Sequence, residues 1–370
     1  MPWAGDSSRR DSAFSWCSSL PGSSTASTAD GNEASAPPYL VISAVAALDR
    51  GFSLVMSTIY NILNYILYDF MGGIMPVDPI ARPDVKGFYE PRTGSIQYVA
   101  SDPATKRCAI IDPVLDFDEK SGATATEQAD LILDYVRDNE LTVEWILDTH
   151  PHADHFSAAA HLKEKTGAPT AIGAEIRKVQ CLWKEIYNWP DLATDGSQWD
   201  HLFVDGERFS VGSIAASVMH SPGHTLASVT YIIGDAAFVH DTIFMPDSGT
   251  ARTDFPGGDA RQLWRSINTI LALPDETRVF TGHDYRPNGR EARWESTVGE
   301  EERCNAHLAG LTEDDFVRLR EARDKTLPMP KLILHALQVN ICGGRLPEPE
   351  SNGARYLKFP LNALLGAAWN

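Results

Sequence analysis

Basic residues are scarce in this chain, and cysteines are few and scattered. Of its 370 residues, 32 are Lys or Arg against 50 Asp or Glu, a formal net charge of −18. Phosphate backbones and anionic headgroups are gripped by Lys and Arg, so the bulk field opposes nucleic acid and anionic membrane surfaces as partners. The 5 cysteines (Cys17, Cys108, Cys181, Cys304, Cys342) are odd in number, far apart and free of any C-x-x-C pair. They form no disulfide framework, and a reducing compartment is the simpler expectation. No internal repeat, Gly-rich phosphate loop or Gly-x-Ser-x-Gly elbow is present, so neither phosphate cradling nor a serine nucleophile has sequence support.

Long apolar runs are also rare. Gly51–Tyr68 carries no formal charge, but Ser53, Ser57, Asn61 and Asn64 dilute it. A membrane anchor, an amphipathic helix and a misassigned start all stay open for it. Residues 1–37 are rich in Ser, Ala, Gly and Asp and are expected to be disordered. Arg9 and Arg10 are opposed there by Asp6, Asp11, Asp30 and Glu33, a poor mitochondrial presequence. The expected organisation is an N-terminal extension over 1–75 and one catalytic domain over 76–370, in the cytoplasm or mitochondrion.

What the chain does have is histidine in a pattern. Thr149-His150-Pro151-His152-Ala153-Asp154-His155 follows the apolar run Val143–Leu147 and packs three imidazoles and a carboxylate into one loop. Zinc and iron bind neutral imidazole and carboxylate well. His224 follows the strand-like Ala215–Met219, Asp241 follows Ala236–His240, and His283 follows Val279–Gly282. Strands of one sheet ending on the same side would gather these loops at one edge, where α/β sites form. Helical spacing marks Glu127–Arg137, Ala158–Lys165, Glu175–Trp189 and Gln262–Leu271, with Asp314–Arg323 as a charged, exposed helix.

His150-x-His152-x-Asp154-His155, then His224, Asp241 and His283 in that order, resemble the metallo-β-lactamase superfamily over roughly Val85 to Ala367. The resemblance implies an αββα sandwich, two mixed β-sheets between helices, with the metal at one end. The segments Ser221–Thr225, Gly249–Phe255 and His283–Tyr285 look like its persulfide dioxygenase branch. Gly87–Pro91, Ile111–Asp116, Gln338–Asn340 and Gly343–Pro347 resemble the β-lactamase-hydrolase-like subgroup.

That branch implies one Fe(2+) held by His150, His224 and Asp241, leaving three coordination positions open, as in non-haem oxygenases. His152, Asp154, His155 and His283 would then orient ligands or remain from a second site. Arg252 is a candidate to grip a glutathione carboxylate, its rival being an ion pair with Asp254; Tyr285 either contacts substrate or packs. The implied reaction takes glutathione persulfide, or a related small thiol substrate, and O2 to sulfite and glutathione. All positions of a two-metal site are also present, so a glyoxalase II-type thioester hydrolase with Zn2+, one or two, is the alternative. An inactive metal-binding relative is the third reading, because His240 stands where the family usually has Gly. Strand alternation predicts that His240 faces away from the metal if Asp241 faces it. A homodimer is left open.

Overall fold

The computed structural model describes residues 82–364. The stretch expected to be disordered and the apolar segment Gly51–Tyr68 lie outside the described residues.

Period-2 alternation of apolar side chains builds two sheets, each buried on both faces. The first has the order β1 (Asp84–Tyr89), β2 (Ile96–Ser101), β3 (Arg107–Ile111), β6 (Thr142–Leu147), β8 (Thr170–Gly173), β9 (His201–Phe203). β1, β2 and β3 pair antiparallel, and β3, β6, β8 and β9 pair parallel. The second runs β10 (Arg208–Val211), β11 (Ile214–His220), β12 (Val229–Ile233), β13 (Ala236–His240), β14 (Arg278–Thr281), β15 (Glu295–Thr297). It is antiparallel except for the parallel pair β13–β14. A small sheet of β5 (Ala123–Ala125), β4 (Val114–Asp118) and β7 (Phe156–Ser157) sits beside the His150–His155 loop.

Alternate residues of one strand serve different cores. Tyr98, Ala100, Ala109, Ile111 and Leu147 of the first sheet meet Val218, Tyr231, Phe238 and Phe280 of the second in the central layer. Their neighbours Val99, Cys108, Ile110 and Ile146 face outward onto Ile132, Val136 and Leu162 of helices α1 (Glu127–Asp138) and α2 (Ala159–Thr166). On the other side Ala237, Val239 and Val279 pack under Leu263, Ile267 and Ile270 of helix α4 (Ala260–Leu271). Helix, sheet, sheet, helix is the expected sandwich.

Most expected helices appear with shifted ends. Helix α3 (Ile176–Ile186) stops short of Trp189, where Asn188 turns left-handed at φ +47°. Trp183 of this helix is buried and packs in the core. One expectation needs correction. Helix α6 (Glu313–Asp324) is charged but not simply exposed, because Phe316, Arg320 and Asp324 are buried. Helix α5 (Val298–Cys304) and helix α7 (Ile333–Asn340) had no sequence expectation. Among the described residues, no helix is long and apolar enough to cross a membrane.

Candidate metal centre

The ligand-bearing loops begin where parallel-paired strands stop. β6 ends at Leu147 before the His150–His155 loop, β13 ends at His240 before Asp241, and β14 ends at Thr281 before His283. His224 follows β11 through Gly223, whose backbone at φ +133° lies against the start of helix α4. A Cβ there would stand 2.3 Å from the Leu263 nitrogen, so glycine is what lets this loop close on the helix.

His150, His224 and Asp241 converge as expected: one ligand atom from each lies within 4.8 Å of the others, and all are buried. The surroundings prepare them to hold a cation. Burial, then the neighbouring imidazoles of His152, His240 and His224, push the His150 pKa well down, leaving the neutral ring that metals require. Its Nε2 is buried with no hydrogen-bond partner, while Nδ1 meets Thr149 Oγ1 at 3.1 Å. His224 Nδ1 donates to the Arg252 carbonyl at 2.8 Å, which leaves Nε2 as the lone-pair nitrogen, 3.6 Å from Asp241 Oδ2. Burial opposes ionisation of Asp241, but His283 and His224 outweigh it and hold its carboxyl low. An orphaned lone pair, a second imidazole with its tautomer fixed and an ionised carboxylate fit a divalent metal.

The remaining expected residues form a second constellation beside the first. His152, Asp154 and His155 also bring ligand atoms within 4.8 Å of one another. His283 bridges the two groups, with Nδ1 at 2.6 Å from Asp241 Oδ1 and Nε2 at 2.9 Å from Asp154 Oδ2. Burial alone would favour a neutral His283, but the carboxylates of Asp241 and Asp154 around it drive its pKa well up. His155 Nδ1 lies 2.9 Å from the same Asp154 oxygen. His152 turns toward Asp112, its Nε2 3.0 Å from Oδ1; against the effect of burial, Asp112 pushes the ring up to about 9.

Three further residues hold this machinery together. Ser95 Oγ donates to Asp154 Oδ2 at 2.8 Å and lies 3.2 Å from His155 Nδ1 and 3.1 Å from His283 Nε2. No spacing signal marks it. Asp112, directly after β3, accepts from the Thr149 amide and hydroxyl, both at 2.7 Å. It too follows a strand of the first sheet, so the rule that picks out Asp241 applies to it. Asn340, at the end of helix α7, donates to the carbonyls of His152 at 2.8 Å and His155 at 2.7 Å and accepts from the Ser157 amide. That gives the tail segment Gln338–Asn340 a physical role: it clamps the ligand loop.

Two expectations change. His240 does not face away: the β13–β14 register shifts between Phe238 and His240, and the residue turns left-handed at φ +41°. The break in alternation lays its ring 4.9 Å from that of His150, with Nε2 3.1 Å from Thr242 Oγ1. Arg252 adopts the rival arrangement. Its guanidinium makes paired bonds to Asp254 (2.7 and 2.8 Å), reaches the Pro328 carbonyl at 2.6 Å and covers the Phe255 ring. Each guanidinium nitrogen is engaged within the protein, Nη2 also lying 3.4 Å from the Leu327 carbonyl, and of the five N–H groups one, on Nη1, is not used by these bonds.

Both constellations open into a cavity of about 890 Å³, walled also by Phe244, Phe255, Leu327, Met329 and Leu332. Arg252 and Tyr285 line it. Tyr285 is 62% exposed and its ring stacks on His283 at 5.5 Å, so it both packs and borders the opening. A cavity of this size holds a peptide-sized organic ligand.

Comparison with known proteins agrees with this geometry. The family model described as metallo-beta-lactamase superfamily matches residues 96–283. A beta-lactamase hydrolase-like protein of Xylella fastidiosa (strain 9a5c) is 75% identical over 290 residues, covering 78% of this chain and 67% of the relative. Glyoxylase B2 of Dictyostelium discoideum is 46% identical, covering 76% of this chain and 98% of that protein. The mitochondrial persulfide dioxygenase ETHE1 of Homo sapiens is 28% identical, covering 71% and 90%. The crystal structure of ETHE1 from Myxococcus xanthus superposes with a TM-score of 0.57 at 31% identity, covering 71% of this chain and 100% of that one.

Proposed function

This chain belongs to the metallo-β-lactamase superfamily, and within it we propose an iron-dependent persulfide dioxygenase. The observation that carries the reading is the state of the second constellation. His283 has both ring nitrogens on carboxylates, and Ser95 links Asp154, His155 and His283, so His283 is spent on Asp241 and Asp154 beside the His150–His224–Asp241 triad, while His155 Nε2, like His150 Nε2, is buried without a hydrogen-bond partner. Two imidazoles and one carboxylate are the donor set of mononuclear non-haem iron oxygenases. The likeness to ETHE1 supports the same reading.

The reaction would be GSSH + O2 + H2O → GSH + SO3(2−) + 2 H+. Iron, when bound, supplies O2 activation and the redox change at the terminal sulfur. The protein residues bind, orient and hold protons. The apolar wall of Phe244, Phe255 and Leu332 shields the thiol end of the substrate from water. The His283 imidazolium donates from Nδ1 to Asp241 and from Nε2 to Asp154, and Ser95 Oγ, itself donating to Asp154, lies 3.1 Å from Nε2, so this proton is held between the two carboxylates. Asp241 is kept ionised and Arg252 fixes the His224 tautomer through its carbonyl.

A second reading, a thioester hydrolase, rests on the grouping of His152, Asp154 and His155 and on the likeness to Glyoxylase B2. Protein stripped of metal and reloaded with ferrous iron should take up O2 when given glutathione persulfide. No uptake by the iron-loaded protein would exclude the dioxygenase. Thiol release from S-lactoylglutathione by protein carrying two metal ions per chain would establish the hydrolase instead.

A further inference from the structure

Arg320, in helix α6, is only 1% exposed, and its partner Asp324 is 3% exposed. Burying such a pair costs desolvation that its mutual attraction seldom exceeds, and apolar side chains of similar volume usually serve stability as well. The pair is better explained by what it holds. Arg320 Nη2 donates to Asp324 Oδ1 and Nη1 donates to the Thr250 carbonyl at 2.9 Å. Asp324 Oδ2 accepts from the Thr253 amide at 2.9 Å and its hydroxyl at 3.2 Å. The Thr250 amide donates to His307 Nδ1 at 2.9 Å. Gly249, at φ +89°, permits that approach, because a Cβ would stand 2.1 Å from the same nitrogen.

The backbone from Thr250 to Thr253 is thus fixed at both ends by buried side chains. Between those ends the Arg252 carbonyl accepts from His224 Nδ1 at 2.8 Å. This bond selects the Nδ1–H tautomer and aims Nε2 toward Asp241. We propose that the buried Arg320–Asp324 pair positions the metal ligand His224, by fixing the Thr250–Thr253 segment whose carbonyl sets that imidazole's direction. The role holds for a dioxygenase and a hydrolase alike, since it concerns the ligand and not the reaction.

The test uses metal-free full-length protein titrated with Co(II) against a competing chelator, with the Co(II) d–d absorption spectrum recorded at one equivalent. Asp324→Ala removes the Thr253 anchor, Asp324→Asn keeps one acceptor oxygen, and Arg320→Met with Asp324→Leu fills the space with apolar atoms. The double variant should keep its melting temperature near that of the parent, yet bind Co(II) about 10-fold or more weakly, with shifted d–d bands. Asp324→Ala should behave likewise, and Asp324→Asn should restore binding to within about 3-fold of the parent. If Asp324→Ala fails to fold, the double variant decides. Parental Co(II) affinity and spectrum in a folded double variant would overturn the proposal. So would Asp324→Asn binding as poorly as Asp324→Ala.

Discussion

Replacing His283 by Phe separates the one-metal from the two-metal reading. The phenyl ring preserves the 5.5 Å stack on Tyr285 and the contact with Phe244, and removes both nitrogens. Asp241 Oδ1 then loses its 2.6 Å partner and Asp154 Oδ2 its 2.9 Å partner, with no cation between the two carboxylates. Breaking a buried charge pair by removing one member costs about 3–5 kcal/mol. At roughly 2–4 °C per kcal/mol for a domain of this size, the metal-free variant should melt about 10 °C lower than the metal-free parent. A bound cation supplies the missing positive charge, so most of that loss should return when metal is added. Elemental analysis decides the reading: with the triad as the sole tight site, both proteins carry one metal per chain. A fall from two ions to one would refute the one-metal site, and an unchanged metal-free melting temperature would refute the bridging role of His283.

Three further outcomes follow from the packing. Gly282→Ala places a Cβ 2.6 Å from Asp241 Oδ1, so metal affinity should fall about 10-fold or more while the circular dichroism spectrum is retained; parental affinity would mean that the ligand loop yields freely. His240→Gly recovers about 1–2 kcal/mol of left-handed backbone cost but leaves a cavity beside His150 worth about 2–5 kcal/mol. Urea unfolding should show a net loss, and a variant as stable as the parent would mean that strain dominates. Glu301 is fully buried, accepts from Asn305 Nδ2 at 2.8 Å and is pushed by burial from an ordinary 4.5 up to about 7. Its folded pKa lies above its unfolded one, so its stability contribution is full below pH 4.5 and is lost as the pH rises through 7. Glu301→Gln should therefore gain on the parent by about 3 kcal/mol between pH 4.5 and pH 8, and a pH-independent difference in melting temperature would contradict this.

The sandwich was legible because its strands obey a simple rule. Tyr98 and Val99, or Ile110 and Ile111, point to opposite cores, and runs of such residues ending before a histidine mark both the strand and the edge where the site lies. Helix ends were less legible. Glu175–Trp189 reads as one helix by spacing, and only the left-handed turn at Asn188 ends it. Helix α6 is rich in charge and reads as exposed, since nothing in its sequence says that Arg320 and Asp324 neutralise each other under the Thr250–Thr253 segment.

The candidate metal ligands were legible for a different reason from the groups that aim them. His150, His224 and Asp241 are residue types with few other uses at strand ends, so their chemistry shows in a one-dimensional list. Ser95, Asp112, Asn340 and the Arg252 carbonyl act through geometry that arises only when distant segments meet: Ser95 and His283 are bridged across the two sheets, and Asn340 reaches the ligand loop from the other end of the domain. His240 shows the limit of local rules most clearly. Alternation along β13 assigns it to the face opposite Asp241, yet a one-residue register shift, together with a left-handed backbone, sets its ring beside His150. A one-residue shift ahead of His240 moves His240 and Asp241 together and by itself leaves them on opposite faces. The left-handed backbone at His240, φ +41°, is what breaks the alternation between it and the next residue, so that its ring lies beside His150 while the Asp241 carboxylate joins the triad.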